Sequence, residues 1–145
     1  MYNFSTVAID VGDSRIGIAV CETTSHRATP FAVFNRAKGE AERRLIQLIL
    51  SEGTQLLVVG LPLDEDGGET EQSLMTRNFC RRLLQRVQVE IQFIDEYDSS
   101  QEAIEWIKGQ RLKLSPKELQ TLRRSGEIDK HAAAIILKRY LDRAR

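Results

Sequence analysis

The sequence predicts an α/β domain built on a mixed five-stranded sheet with helices on both faces, in the order β-β-β-α-β-α-β-α. Three observations lead there. The first 35 residues hold three strand-like segments separated by short turns, so the chain opens with hairpins rather than with a βαβ unit. Two later apolar segments are each reached through a stretch with helical periodicity. The last third closes on a long helical run. Hairpins make the first three strands antiparallel, whereas helical crossovers make the next two parallel.

The elements follow in order. "FSTVAIDVG" is rich in β-branched residues and reads as the first strand. "GDS" is a short turn, and "RIGIAVCE" returns as the second strand. "ATPFAVFN" reads as a third. In "GEAERRLIQLILSEG", Ala41, Leu45, Leu48 and Ile49 recur at helical spacing and Gly53 is the stop signal. "QLLVVGLPL" is continuous enough to be a strand buried on both faces, and "DEDGG" is a turn. Residues 70 to 88 read as a helix with Cys80, Leu83, Leu84 and Val87 on its apolar side. "VEIQFIDE" alternates as the fifth strand. Ser99 and Glu102 form a capping-box pattern opening a helix that carries Ile104 and Trp106. Residues 110 to 127 are polar and basic, with a short helix expected from "SPKEL". "DKHAAAIILKRYLDRA" is the closing helix. This order suits a ribonuclease H-like fold; a purely parallel, doubly wound sheet would not begin with a hairpin.

Composition bounds the function. At 145 residues, with 41% hydrophobic and 29% charged residues, the chain is expected to be one domain over residues 1–145, folded rather than disordered. No apolar run approaches the length of a membrane helix, and the N-terminus lacks a signal-peptide pattern. Cys21 and Cys80 offer neither metal spacing nor a disulfide framework. A cytoplasmic protein with reduced, packing cysteines is the expectation, with no membrane partner. Net charge is zero, but residues 108 to 145 hold 11 Lys/Arg against 4 Asp/Glu, while residues 1 to 107 hold 10 against 17. That asymmetry suggests a basic surface for a polyanion beside an acidic site. Solvated helix faces would produce it too.

The chemistry centres on carboxylates. Asp10 stands in an otherwise apolar strand, where an unpaired charge is expensive. Asp95 and Glu96 end the fifth strand, and Asp129 opens the last helix. Sites in open α/β sheets gather at the C-terminal strand ends. Asp10, Glu96 and Asp129 can therefore converge, and a divalent cation relieves the repulsion between them. Oxygen-only ligands suit Mg²⁺ or Mn²⁺. Two ions roughly 4 Å apart would serve phosphodiester hydrolysis. Strand alternation favours Glu96 over Asp95. Local alternatives stand beside each residue. Asp10 could cap the turn or pair with Arg15. Asp95 and Glu96 could simply precede a helix N-terminus, and Asp129 could be an N-cap with Ile128 and Ala133 as a staple. Gly60 would let a backbone approach the site, whereas Asp64, Glu65 and Asp66 read as a solvated turn. Arg15, Arg77, Arg81, Arg124 and Lys130 are the candidate phosphate contacts, with Arg82 and Arg123 beside them; each could be a solvated charge. His131 shares no helix face with Asp129 and has no assigned proton-transfer role.

These motifs together resemble the YqgF/RuvX family, bacterial proteins of ribonuclease H-like fold described as pre-16S rRNA nucleases and, by fold analogy, as Holliday junction resolvases. "AIDVGDSRIGIAV" resembles the first family motif through Asp10, Gly12, Arg15 and Gly17. "VVGLPLDEDGG" resembles the second through Gly60, Leu61, Pro62, Asp66 and Gly67, and Phe79 and Leu83 fit the following helix. "DEYDSSQEA" resembles the third, and "IDKHAAAIILKRYLD" the fourth through Asp129, Ala132 and Ala133. The match covers nearly the whole chain. The resemblance implies that Asp10, Glu96 and Asp129 are the catalytic and metal-binding set and that the substrate is pre-16S rRNA in ribosome biogenesis. A monomer or weak dimer is the expectation. One departure stands out: the family's arginine after Asp-Glu is Tyr97 here, followed by Asp98. A tyrosine can hydrogen-bond a phosphate or stack on a base, but it carries no charge.

Other readings compete. Structured DNA such as a four-way junction is the runner-up substrate. An ATP phosphohydrolase of the actin kind also opens with such a hairpin, but 145 residues leave no room for its second lobe. A non-catalytic nucleic-acid-binding assembly factor would keep the fold without the reaction.

Overall fold

The computed structural model describes residues 4–22, 24–97, 99–110 and 115–143. Its elements are β1 (Phe4–Val11), β2 (Arg15–Glu22), β3 (Thr29–Asn35), α1 (Glu40–Glu52), β4 (Leu56–Leu61), α2 (Glu71–Leu84), β5 (Glu90–Asp95), α3 (Ser99–Gln110), α4 (Pro116–Ser125) and α5 (Glu127–Arg143). The sheet order is β3-β2-β1-β4-β5. The β1–β2 and β2–β3 pairs are antiparallel, and β1–β4 and β4–β5 are parallel. The mixed five-stranded sheet expected from the hairpin-first order is the one observed.

The two faces of the sheet are built from different residues. On one face Val7, Ile9, Val11, Ile16, Ile18, Val20, Leu57 and Val59 pack against Ala41, Leu45 and Ile49 of α1 and Phe79, Cys80 and Leu83 of α2. The other face presents small residues, Ala8, Ala19, Cys21 and Val58, with Ile94, to Ala133, Ala134, Ile136 and Leu137 of α5. Small residues on both sides let α5 lie close to the sheet. The approach is closest at Gly17, where a Cβ would stand 2.1 Å from the Asp129 carbonyl oxygen. Any side chain there would collide with backbone, so glycine is required. Helices α3 and α4 pack outside α5 through Ala103, Ile104, Ile107, Leu122, Ile128 and Ala132.

Several boundaries differ from the sequence reading, each for a local reason. Helix α2 starts from a reciprocal capping box between Thr70 and Ser73 and ends at Leu84 rather than running to residue 88. Leu84 is therefore 48% exposed, while Val87 enters the core from the segment beyond the helix. The short helix at "SPKEL" extends to Ser125, opened by a Ser115–Glu118 capping box and by Pro116 in the first turn. Gly126, at φ 83°, ends α4, and α5 begins immediately at Glu127. Asp129 thus lies inside the first turn of α5 and is not its N-cap. Ser99 likewise is the first residue of α3 rather than the residue before it. Asp98 and the basic stretch 111–114 lie outside the described residues. Among the described residues no helix is long and apolar enough to cross a membrane.

Candidate active site

Strands β1, β4 and β5 are parallel, so their C-terminal ends meet at one edge of the sheet. Strand alternation puts Asp10 on the same face as Ala8, the face covered by α5. By the same alternation Glu96, two residues beyond Ile94, faces α5, and Asp95 faces away. Gly60 completes this edge. A Cβ on it would stand 3.1 Å from Glu96 Oε2 and 2.3 Å from Ile136 Cδ1, so the bare glycine leaves the Glu96 carboxyl room to lie across β4. The close contact at Gly17 brings the first turn of α5, and with it Asp129, to the same place.

The three carboxyls line one open cavity of about 610 Å³. Glu96, in its protonated form, donates a side-chain hydrogen bond to Asp10. Burial holds both above the ordinary carboxylate range, and the charge of Asp10 raises Glu96 further. Asp129 is also raised by burial, against the opposing pull of Arg15. Its Oδ2 lies 3.2 Å from Arg15 Nη2 but accepts no hydrogen bond, leaving a buried oxygen unsatisfied.

Arg15 is committed to structure. Its Nη1 donates to the Arg124 carbonyl at 2.6 Å and its Nη2 to the Arg123 carbonyl at 2.8 Å, so it caps the C-terminal end of α4 while pairing with Asp129. Arg36 braces the β1–β2 turn from below, donating to the Gly12 carbonyl at 2.8 Å. Arg139 was not anticipated. From α5 it donates to the carbonyls of Asp95 and Tyr97, at 3.0 and 2.9 Å, and to Glu102, and so fixes the loop that carries Glu96. No sequence spacing signals this contact, because it joins residues more than 40 apart.

Of the candidate phosphate contacts, Arg77 pairs with Glu69 and lies over the Phe93 ring. Arg81 bonds Asn78, and Lys130 pairs with Glu127 at 2.9 Å. None of these, nor the Arg124 side chain, lines the cavity; the cation that does is Arg123. Tyr97 lines it too, with its side chain largely open to solvent. His131 Nδ1 donates to the Glu127 carbonyl at 2.8 Å, and the ring packs edge-on to Trp106. Asp64 folds its own turn by accepting from the amides of Asp66 and Gly68.

Among the described residues, no group of three or more Asp, Glu, His or Cys side chains is placed to hold a metal ion as it stands. The donor type is nonetheless the one a divalent cation takes: three carboxyls line one cavity, and Asp129 Oδ2 is buried without a hydrogen bond among the described residues.

Comparison with known proteins bears on the fold and the family. The family model for RuvX, described as a Holliday junction resolvase, matches residues 5–143. A relative in Rippkaea orientalis, named "Putative pre-16S rRNA nuclease", is 34% identical over 146 residues, covering 100% of both chains. One of the same name in Synechococcus elongatus is 34% identical over 98% of this chain and 91% of its own. Among solved structures, T. thermophilus RuvC in complex with a Holliday junction substrate superposes with a TM-score of 0.55 at 12% identity, over 96% of each chain. The fowlpox virus Holliday junction resolvase gives 0.55 at 11% identity, over 95% of this chain and 98% of that one. Identities this low show the fold alone, which is ribonuclease H-like. Within that class the chain belongs to the RuvX family.

Proposed function

We propose that this protein is a metal-dependent nuclease that hydrolyses phosphodiester bonds in structured RNA, acting in 5′-end processing of pre-16S rRNA. The observation that carries the reading is the meeting of Asp10, Glu96 and Asp129 on one cavity at the strand ends. The names of its full-length relatives support RNA as the substrate. The description of the family model favours a four-way DNA junction as the second candidate.

Asp10, Glu96 and Asp129 would hold Mg²⁺ or Mn²⁺, two ions in this reading. When bound, the cations supply charge neutralisation and an activated water. The protein's own part is positional. Gly60 and the Arg139 clamp fix Glu96 beside Asp10. Gly17 brings Asp129 to the same edge, and Arg15 orients it. Glu96 must give up its proton before both carboxylates can serve as ligands, so cation affinity rises with pH. Calorimetric titration with Mn²⁺, run beside cleavage of a 5′-extended 16S precursor, tests the reading. Saturable binding that releases protons, together with cutting that stops on chelation, is expected. An uncut precursor under conditions where a control nuclease cuts would refute it.

A further inference from the structure

Three acids make the floor of the cavity hostile to a phosphodiester, and cations on that floor do not neutralise the rest of a bound strand. The remaining walls therefore matter. One wall is the first turn of α3: Ser99, Ser100 and Gln101 all line the cavity. Helix α3 is 12 residues long. Its Ser99 amide donates to the Glu96 carbonyl at 2.9 Å, while the next amides of the first turn, Ser100 and Gln101, have no partner within the helix. Ser99 is 97% buried, yet its hydroxyl has no hydrogen bond among the described residues; the oxygen is not fully enclosed and opens on the cavity, free to donate to a bound group. The same cavity is lined by Arg123, the cation on its lining among the described residues, with an exposed side chain and no ion-pair partner among them; its neighbour Leu122 packs with Ile104 and Ile107 of α3. Its place follows from Arg15, which holds the Arg123 and Arg124 carbonyls and so fixes the end of α4 at the rim.

We propose that the α3 first turn and Arg123 form a phosphate seat for the RNA strand, separate from the carboxylates and holding a phosphate that is not cut. This inference rests on the nuclease reading for the identity of the strand. Backbone amides at a helix N-terminus and a guanidinium are the groups that recognise a phosphodiester oxygen. The Ser99 hydroxyl donates the additional bond. The seat supplies the charge that Tyr97 lacks, from a different element of the fold.

The test is a ¹⁵N-amide NMR titration of the full chain with a single-stranded RNA hexanucleotide in metal-free buffer, where cleavage does not intervene. Saturable shifts of the Ser100 and Gln101 amides are expected. Arg123→Gln should weaken binding by about tenfold and flatten its salt dependence by about one charge, whereas Arg123→Lys should restore most of the affinity. Ser99→Ala should cost a few-fold with the fold intact by circular dichroism. The seat is refuted if the α3 amides stay still, whether or not others move, or if Arg123→Gln binds like wild type. Cleavage of the rRNA precursor, measured in parallel, separates the two ideas. Shifting amides without cleavage would keep the seat and remove the nuclease. Cleavage with still amides would do the reverse.

Discussion

Asp10 and Glu96 would repel each other if both were ionised, so the folded pair favours a protonated Glu96, and that fixes the sign of a pH effect. Both hold protons more tightly when folded than their ordinary values of 3.8 and 4.5 allow. The folded state therefore binds more protons than the unfolded one above that range, and stability falls as pH rises from there through the raised folded values. Asp10→Asn removes the repulsion. In metal-free buffer its melting temperature should exceed that of the wild type, by a margin that widens from pH 5 to pH 8. The sign is the test: the variant melts above the wild type at pH 8. The same variant should lose the stabilisation that Mn²⁺ gives the wild type. A lower melting temperature at every pH would contradict the dyad. Arg15→Met should cost about 1–3 kcal/mol in urea unfolding, because two α4 carbonyls and Asp129 lose their partner together; a loss below about 0.5 kcal/mol would mean the clamp is ornamental. The sequence shows the three acids plainly, since charges in apolar or strand-end positions stand out. It does not show that Arg15 is committed to structure, because a carbonyl acceptor on another helix leaves no mark in a one-dimensional pattern.

At the scale of elements, α5 sets the geometry. It lies close to the sheet because β1, β2 and β4 present Ala8, Gly17, Ala19 and Gly60 on one face. Gly17→Ala forces a methyl into the Asp129 carbonyl and should cost about 2–3 kcal/mol, with precursor cleavage lost in proportion to the displacement of Asp129. Gly60→Ala meets a side chain that can turn, Ile136, as well as the Glu96 carboxyl. It should be milder, about 1–2 kcal/mol, while still impairing cleavage. Urea unfolding of both variants checks the order; a Gly60 variant costlier than the Gly17 one would reverse this assignment. The hairpin-first strand order was legible because turns and β-branched runs are local signals. The asymmetry between faces was partly legible in the alternation of large and small residues along "VAIDVG" and "RIGIAV". Helix ends were read less well. Leu84 carries the right periodicity but falls at the C-terminus of α2, where the chain turns away and leaves it in solvent. Asp129 looks like a cap, but Gly126 ends α4 and lets α5 begin earlier.

At the scale of the molecule, the three carboxyls and one cation of the basic C-terminal third, Arg123, line one cavity. The charge asymmetry along the sequence reaches this cavity through that one residue among the described residues. Arg77, Arg81 and Lys130 are spent on local pairs. The central claim is that the acids cut RNA. The most direct measurement is cleavage of end-labelled pre-16S rRNA and of a four-way DNA junction, side by side with Mg²⁺ or Mn²⁺, for wild type and Asp10→Asn. The expected result is cutting of the RNA by the wild type, a rate lowered by at least about 10³-fold in the variant, and little action on the junction. Wild-type and variant protein cutting the RNA equally, or neither cutting it at all, would contradict the assignment of Asp10, Glu96 and Asp129 as the catalytic set.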